Sequence, residues 1–192
     1  MVTTTLRMMR MEAETSQMER DHLDLLLNIS KFIMSELELN KLLRKIMDLT
    51  RDVLRADRCS VYLLDKEKHE LWTLVAHGLE GQQIRIPSGR GLAGYVAVTG
   101  KTLNVKDAYR DSRFIRRIDL RTGYKTRTIL SMPIKNKHGE IIGVFQILNK
   151  KHGCFTKDDE KLLEGVVSFA AIAIENARLY KQLKHQMAPA AA

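Results

Sequence analysis

The chain predicts an α+β layer fold built on one antiparallel sheet, and three observations lead there. Its periodic segments run in the order helix, helix, strands, short helix, strands, helix; the strand runs are rich in β-branched and aromatic residues; and hairpin turns separate several of them. Residues 1–20 are Met-rich and charged, after which apolar positions recur at Leu26, Ile29, Ile33 and Leu37. A second row, Met11, Met18, Leu25 and Phe32, repeats every seven residues, so a long amphipathic helix with a weak heptad is expected. A second helix is expected from about Glu38 to Arg55, with Leu39, Leu42, Leu43, Ile46, Met47, Val53 and Leu54 as a wide apolar stripe and Asn40 as its candidate cap. Cys59 to Leu64 and Leu71 to Ala76 form a hairpin around the charged turn DKEKHE, and Gln83 to Ile86 is a short strand ended by Pro87. After the flexible SGRG, Leu92, Tyr95, Val96 and Val98 suggest a short helix closed by Gly100. Short strands follow at Thr102 to Val105 and Thr128 to Pro133, then a turn at Lys137, His138 and Gly139. The nearly continuous apolar run Ile141 to Leu148 reads as a central strand. Thr156 opens the last helix, with Asp158 and Asp159 in its first turn, where carboxylates suit the free N–H groups and the dipole, and the helix runs to about His185.

Composition bounds the function. At 192 residues the chain holds one ordinary domain. No apolar run approaches ~18 residues, and the start lacks the apolar core of a signal peptide, so a soluble, cytoplasmic protein without membrane contact is expected. Cys59 and Cys154 have neither CxxC nor zinc-ligand spacing and read as free thiols. His22, His69, His138, His152 and His185 sit singly, so no metal or haem is expected. The net charge of +9 arises from Lys and Arg interspersed with Asp and Glu, with no nucleic-acid-reading motif, and reads as a solvated surface.

The segment NKKHGCFTKDDE at 149–160 places an Asn-Lys pair, a spacer, a Phe and then Asp-Glu. With RCSVYLLD at 58–65, IRIPSGRGLAGYVAVTG at 84–100, LNVKDAYRDSRF at 103–114, RTGYKTRTILSMPIKN at 121–136 and GEIIGVFQILNK at 139–150, it resembles the cyclic-nucleotide-binding branch of the GAF family over roughly residues 23–183. The resemblance implies a central sheet of about six strands, the N- and C-terminal helices on one face and a ligand pocket on the other. It divides the chain into a helical extension at 1–22, a GAF domain at 23–187 and a disordered tail at 188–192. It also implies a regulatory sensor with no catalytic residues and no cofactor beyond a regulatory ligand, cAMP or cGMP. The effector domain it regulates is unknown from the sequence.

Carried onto this sequence, the family pocket falls on Ser60, on Gly91, Leu92, Ala93 and Gly94, and on Asp119, Thr122 and Thr126. The chemistry suits the ligand. Backbone N–H groups at the GLAG helix start can hold a cyclic phosphate, the threonine hydroxyls can bond phosphate or sugar, and Asp119 can accept from a purine. A Gly-rich turn alone is equally an ordinary structural turn. Where relatives carry a Phe-Asp pair to stack and bond the base, this chain has Ala76 and His77, so an aromatic contact worth ~1–3 kcal/mol per base is missing there. His77 either bonds a base edge or is a loop histidine touching nothing. Gln146, where some relatives carry Glu, both donates and accepts, leaving the purine preference open.

In the motif itself, the resemblance implies an ion pair between Lys150 and Asp159 that links the last strand to the last helix, with Phe155 beneath and Asn149 and Glu160 flanking. From Lys106 to Arg127, Lys106, Arg110, Arg113, Arg116, Arg117, Arg121, Lys125 and Arg127 face three aspartates in sequence, which reads as a positive lid that concentrates an anion. The last helix carries a heptad of Leu162, Phe169, Asn176 and Leu183 interleaved with Val166, Ala173, Tyr180 and Met187, opposite a stripe of Leu163, Val167, Ala170, Ile174 and Ala177. That pattern predicts a homodimer through the terminal helices, with intrachain coverage by the N-terminal helix as the competing fate. A dimerisation or scaffold module with an empty pocket or another small ligand is the alternative function. Thiol chemistry, as in free methionine sulfoxide reduction, lacks an activating base beside either cysteine.

Overall fold

A computed structural model describes residues 2–36, 38–79 and 82–187. Leu37 and the expected tail at 188–192 lie outside the described residues, as do the side chains of Met11, His185 and Met187. The elements are α1 (Val2–Ser35), α2 (Leu39–Val53), β1 (Ala56–Asp65), β2 (Glu70–Ala76), β3 (Arg85–Pro87), α3 (Gly91–Thr99), β4 (Leu103–Val105), a 3-10 turn (Ala108–Arg110), α4 (Arg116–Thr122), β5 (Ile129–Lys135), β6 (Ile141–Lys150) and α5 (Lys157–Met187). The six strands form one sheet in the order β3-β2-β1-β6-β5-β4, every neighbour antiparallel. The α+β class and the central place of Ile141–Lys150 agree with the sequence.

Side-chain alternation sorts the two faces. Cys59, Val61 and Leu63 of β1, with Leu130, Met132, Phe145 and Ile147, point into a core closed by Leu43, Ile46 and Met47 of α2 and by Leu163, Val167, Ala170 and Ile174 of α5. The intervening residues Arg58, Ser60 and Tyr62 point to the opposite face, where α3 covers Tyr62, Leu71 and Val144. Arg58, Ser60 and Tyr62 thereby line a cavity and not the main core.

Several boundaries differ from the sequence reading. β1 extends from Ala56 to Asp65 because Ala56 still pairs with Lys150, so the ladder carries polar residues that composition excludes. Pro87 pairs with Glu70 inside β3, which an edge strand tolerates because the missing N–H faces away. Asn40 is not the cap of α2: it lies inside the helix, and Glu38 holds the cap position without a side-chain bond. Helix α4 was not anticipated; its seven residues are too few for periodicity to register. Thr156 and Asp159 do form a reciprocal cap on α5, Thr156 N–H donating to Asp159 Oδ2 at 2.8 Å and Asp159 N–H to Thr156 Oγ1 at 3.2 Å.

The expected α5 seam is mostly internal. Leu162, Val166 and Ala173 are core residues and Phe169 packs against them, as do Leu25, Ile29, Phe32 and Ile33 of α1. Gly165 makes the close approach feasible: an ideal Cβ there would lie 3.0 Å from Leu26. Asn176, Tyr180 and Leu183 remain exposed, together with Ile172 and Leu179, and on α1 with Leu23, Leu27 and Met34.

Candidate functional site

The cavity lies between the sheet, α3 and α4, with a volume of about 80 Å³ and an opening to solvent. On the sheet side it is lined by the polar residues Ser60 and Gln146. Ser60 of β1 pairs with Gln146 of β6, which pairs in turn with Ser131 of β5, and Gln146 Nε2 donates to Ser131 Oγ at 3.2 Å. Gln146 Oε1 therefore remains as an acceptor beside Ser60. Tyr62 also lines the cavity, and burial pushes its phenol up to about 12, so it stays a neutral donor at physiological pH.

Gly91, Leu92 and Ala93 line the cavity with the start of α3, whose cap residue Arg90 makes no side-chain bond and whose first turn holds no acidic residue. The first N–H groups of a helix have no intrahelical partner and carry the positive end of its dipole, so this wall favours an anion. Gly91 has φ +71, a conformation that suits glycine. Gly94 is not part of the lining. It lies against the turn before α3, where an ideal Cβ would fall 2.9 Å from the Pro87 carbonyl oxygen, so its role is close packing.

Asp119, Thr122 and Thr126 also converge on the cavity. The Asp119 carboxylate, however, is occupied from within the chain: Oδ1 accepts from Thr126 Oγ1 at 2.8 Å, and Oδ2 accepts from Thr126 N–H at 2.7 Å and from Tyr109 O–H at 3.1 Å. Three of about four acceptor positions are filled, and Asp119 acts first as the clasp that holds α4 to the following loop. Thr122 Oγ1 donates to the Ile118 carbonyl at 2.9 Å, leaving acceptor capacity toward the cavity. His77 lines the cavity but is not a free loop histidine: Cys59 N–H donates to its Nδ1 at 2.9 Å and its Nε2 is 3.0 Å from Asp48 Oδ1. Burial lowers its pKa.

Sequence reasoning missed Arg58, Tyr124 and Phe114. The Arg58 guanidinium lies 4.0 Å from the centre of the Tyr124 ring, and Gly78 (φ +73) leaves it room, since an ideal Cβ there would fall 2.5 Å from Arg58 Nη1. Aromatic rings do line the cavity elsewhere: Tyr62 of β1, and Phe114 and Tyr124 from the loops on either side of α4. Arg58 and Tyr62 were readable from the strand period that selects Ser60. Tyr124 lies only two positions before Thr126. Its phenol is raised by burial and by Asp57.

The lid from 106 to 127 is less free in charge than its sequence suggests. Arg113 is bound to Asp111 at 2.6 Å and lies 4.5 Å from the Tyr95 ring, Arg116 donates to the Tyr109 carbonyl at 2.8 Å, Arg110 meets Asp107 at 3.3 Å, and Arg127 meets Asp57 at 3.6 Å. Arg117, Arg121 and Lys125 are exposed.

Behind the cavity, Lys150 Nζ lies 2.8 Å from both carboxylate oxygens of Asp159, the side chains being 16% and 8% exposed. Phe155 is buried below, 5.9 Å from the ammonium, and its carbonyl accepts from Asn104 Nδ2, which also donates to Glu160. Asn149, at φ 56, accepts from Arg127 and Thr128 N–H and donates to the Lys125 carbonyl and Tyr124 hydroxyl.

A model of the GAF domain matches residues 38–174. The chain belongs to the GAF family. This GAF domain is 39% identical over 175 residues to dual 3',5'-cyclic-AMP and -GMP phosphodiesterase 11A of Takifugu rubripes, an alignment covering 84% of this chain and 19% of that protein. It is 36% identical over 187 residues to the cGMP-specific 3',5'-cyclic phosphodiesterase of Drosophila pseudoobscura pseudoobscura, covering 88% and 17%. The chain thus spans about a fifth of these relatives' length. Among solved structures, the GAF domain of a Coxiella burnetii phosphoenolpyruvate-protein phosphotransferase superposes with a TM-score of 0.77 at 23% identity, covering 85% of this chain and 98% of that one. Free methionine-R-sulfoxide reductase of Neisseria meningitidis gives 0.68 at 20%, covering 83% and 91%. These two establish the fold alone. Among the described residues of this GAF domain neither cysteine lines the cavity: Cys59 is fully buried in the helix-side core with its thiol pushed up by burial.

Proposed function

We propose that this GAF domain is a regulatory, non-catalytic sensor of a cyclic nucleotide, cAMP or cGMP, acting in the cytoplasm on an effector domain outside this chain. The observation that carries the reading is that two kinds of surface line one cavity. The uncapped start of α3 suits a cyclic phosphate; Ser60, Gln146, Thr122 and the Arg58–Tyr124 stack suit a sugar and a planar base. The kinship with cyclic-nucleotide phosphodiesterases supports the same ligand class. In this reading Asp119 and Thr126 hold the lid, and two copies pair through the exposed stripe of Ile172, Leu179 and Leu183 with Leu23 and Leu27, in place of the buried Leu162–Val166 row.

Calorimetry and native mass spectrometry of the chain with cAMP, cGMP and a panel of metabolites test it. A cyclic nucleotide that binds only the folded state will raise the melting temperature and appear as a 1:1 adduct per chain. No adduct and no thermal shift at ~1 mM nucleotide, a concentration at which even weak ligands stabilise by mass action, would overturn the assignment in favour of a scaffold or another ligand.

A further inference from the structure

We propose that His77 is a positioning residue that couples the cavity wall to helix α2, so that occupancy of the cavity is felt at α2. The proposal rests on the sensing function above and describes how that site is wired. A backbone N–H only donates, so the bond from Cys59 N–H requires His77 Nδ1 to be unprotonated. The ring proton therefore resides on Nε2 and is directed at Asp48 Oδ1, 3.0 Å away on α2. Neither ring nitrogen is left for a base edge. The imidazole instead joins the end of β2 to β1 and to α2 through a single rigid plane.

A second contact ties the same place. Cys59 Sγ lies 3.5 Å from the carbonyl oxygen of Met47, the residue before Asp48. Cys59 is thus fastened to one turn of α2 through its side chain and, by way of His77, through its backbone. Its chain neighbours Arg58 and Ser60 line the cavity. A ligand that displaces either one pulls on Cys59, and the pull reaches α2 along two bonds. Helix α2 packs on both α1 and α5, which places the terminal helices one contact further on. Around the imidazole, α2 presents Asp48, Arg51 and Arg44, and Arg51 Nη1 also lies 3.2 Å from Asp48 Oδ1, fixing the carboxylate that receives the imidazole proton. The nearest lining cation on the cavity side is Arg58. An Asn at 77 would satisfy Cys59 but fall short of Asp48.

Hydrogen exchange by mass spectrometry on the full chain, with and without saturating cAMP or cGMP, tests the coupling in wild type, Asp48→Ala and Asp48→Asn. Asp48 is 46% exposed and is not among the lining residues, so its removal takes away no direct ligand contact. Wild type should show ligand-dependent slowing in α3 and α2. Asp48→Ala should keep the α3 slowing and an affinity within about threefold, yet lose at least half of the α2 response; Asp48→Asn, which retains an acceptor, should restore it. An equal α2 response in wild type and Asp48→Ala, or none in wild type, overturns the proposal. If neither nucleotide binds, the sensing reading fails on its own, and the strut is decided without ligand by NMR. Asp48→Ala should then shift the amide resonances of Cys59 and Ser60, and the His77 ring nitrogens should report the Nε2–H form; unchanged amides or the Nδ1–H form would refute it.

Discussion

The side-chain amide of Asn149 donates to the hydroxyl of Tyr124 at 2.8 Å, joining the end of the central strand to a wall of the cavity. Its φ of 56 is a conformation that asparagine tolerates better than most residues, and all the bonding capacity of its side chain is directed at the segment from Tyr124 to Thr128. Asn149→Gly keeps that backbone and deletes those bonds. It is expected to lower stability by about 1–3 kcal/mol, measured by urea unfolding, and to speed amide exchange from 124 to 128. Wild-type stability would mean the bonds contribute nothing net.

Thr126→Val removes the hydroxyl that donates to Asp119 Oδ1 while preserving shape and the N–H bond to Oδ2. A buried carboxylate oxygen loses its donor, so a loss of about 1–3 kcal/mol and a smaller nucleotide-induced thermal shift are expected. Thr126→Ser should recover most of both. Equal behaviour of the Val and Ser variants would show that the clasp does not depend on the hydroxyl.

Because Lys150 and Asp159 are both largely buried, removing one partner leaves a charge without compensation. Lys150→Ala and Asp159→Ala are each expected to destabilise by about 3–5 kcal/mol, and the double variant by far less than the sum. Strictly additive losses in chemical denaturation would contradict a direct pair. The Asp159 variant also removes half of the α5 cap, so it should be the more damaging of the two.

Burial holds the pKa of His77 below its ordinary 6.5, so the fold favours the neutral ring. In the window between the folded value and 6.5 the unfolded chain binds more protons than the fold. The contribution is complete above the unfolded value and is lost as pH falls through the folded one. Unfolding free energies of wild type should therefore drop more steeply on acidification through that window than those of His77→Gln. Parallel curves would show that the ring titrates no differently in the two states.

The exposed stripe on α5 predicts a dimer that Leu179→Glu with Leu183→Glu dissociates, observed by analytical ultracentrifugation. Val166→Ala, by contrast, should act on stability, since Val166 is fully buried. Monomeric wild type at high micromolar concentration would rule the interface out.

The architecture was legible because burial imposes periods. The β-branched and aromatic run at Cys59 to Leu63 is buried throughout, as a strand covered on both faces is, and the stripe Leu163, Val167, Ala170 and Ile174 buries what its helical spacing predicts. The heptad of α5 was legible as apolar but not as to partner: Leu162 and Val166 meet α1 of the same chain, and no spacing within one helix identifies what covers it. The site was legible to the level of position. Ser60, Ala93, Thr122 and Gln146 line the cavity, but Asp119 was assigned to a ligand although its donors lie at Tyr109 and Thr126, on other segments. His77 was opaque for the same reason, its acceptor Asp48 being on a helix that precedes it by 29 residues.

Helices α1 and α5 run in the same direction across the domain, with Leu26 beside Gly165 and the segment from Gln17 to His22 beside Asp159. The described stretches of α1 before Gln17 and of α5 after Leu179 therefore leave the domain at opposite ends. A module joined to α5 in helical continuity would be set by phase: each added residue turns it by about 100° and advances it by ~1.5 Å. Output from such a fusion should oscillate with linker length at a period near ~3.6 residues, so that the number of residues in the joint, apart from their chemistry, decides whether the signal arrives with the right sign.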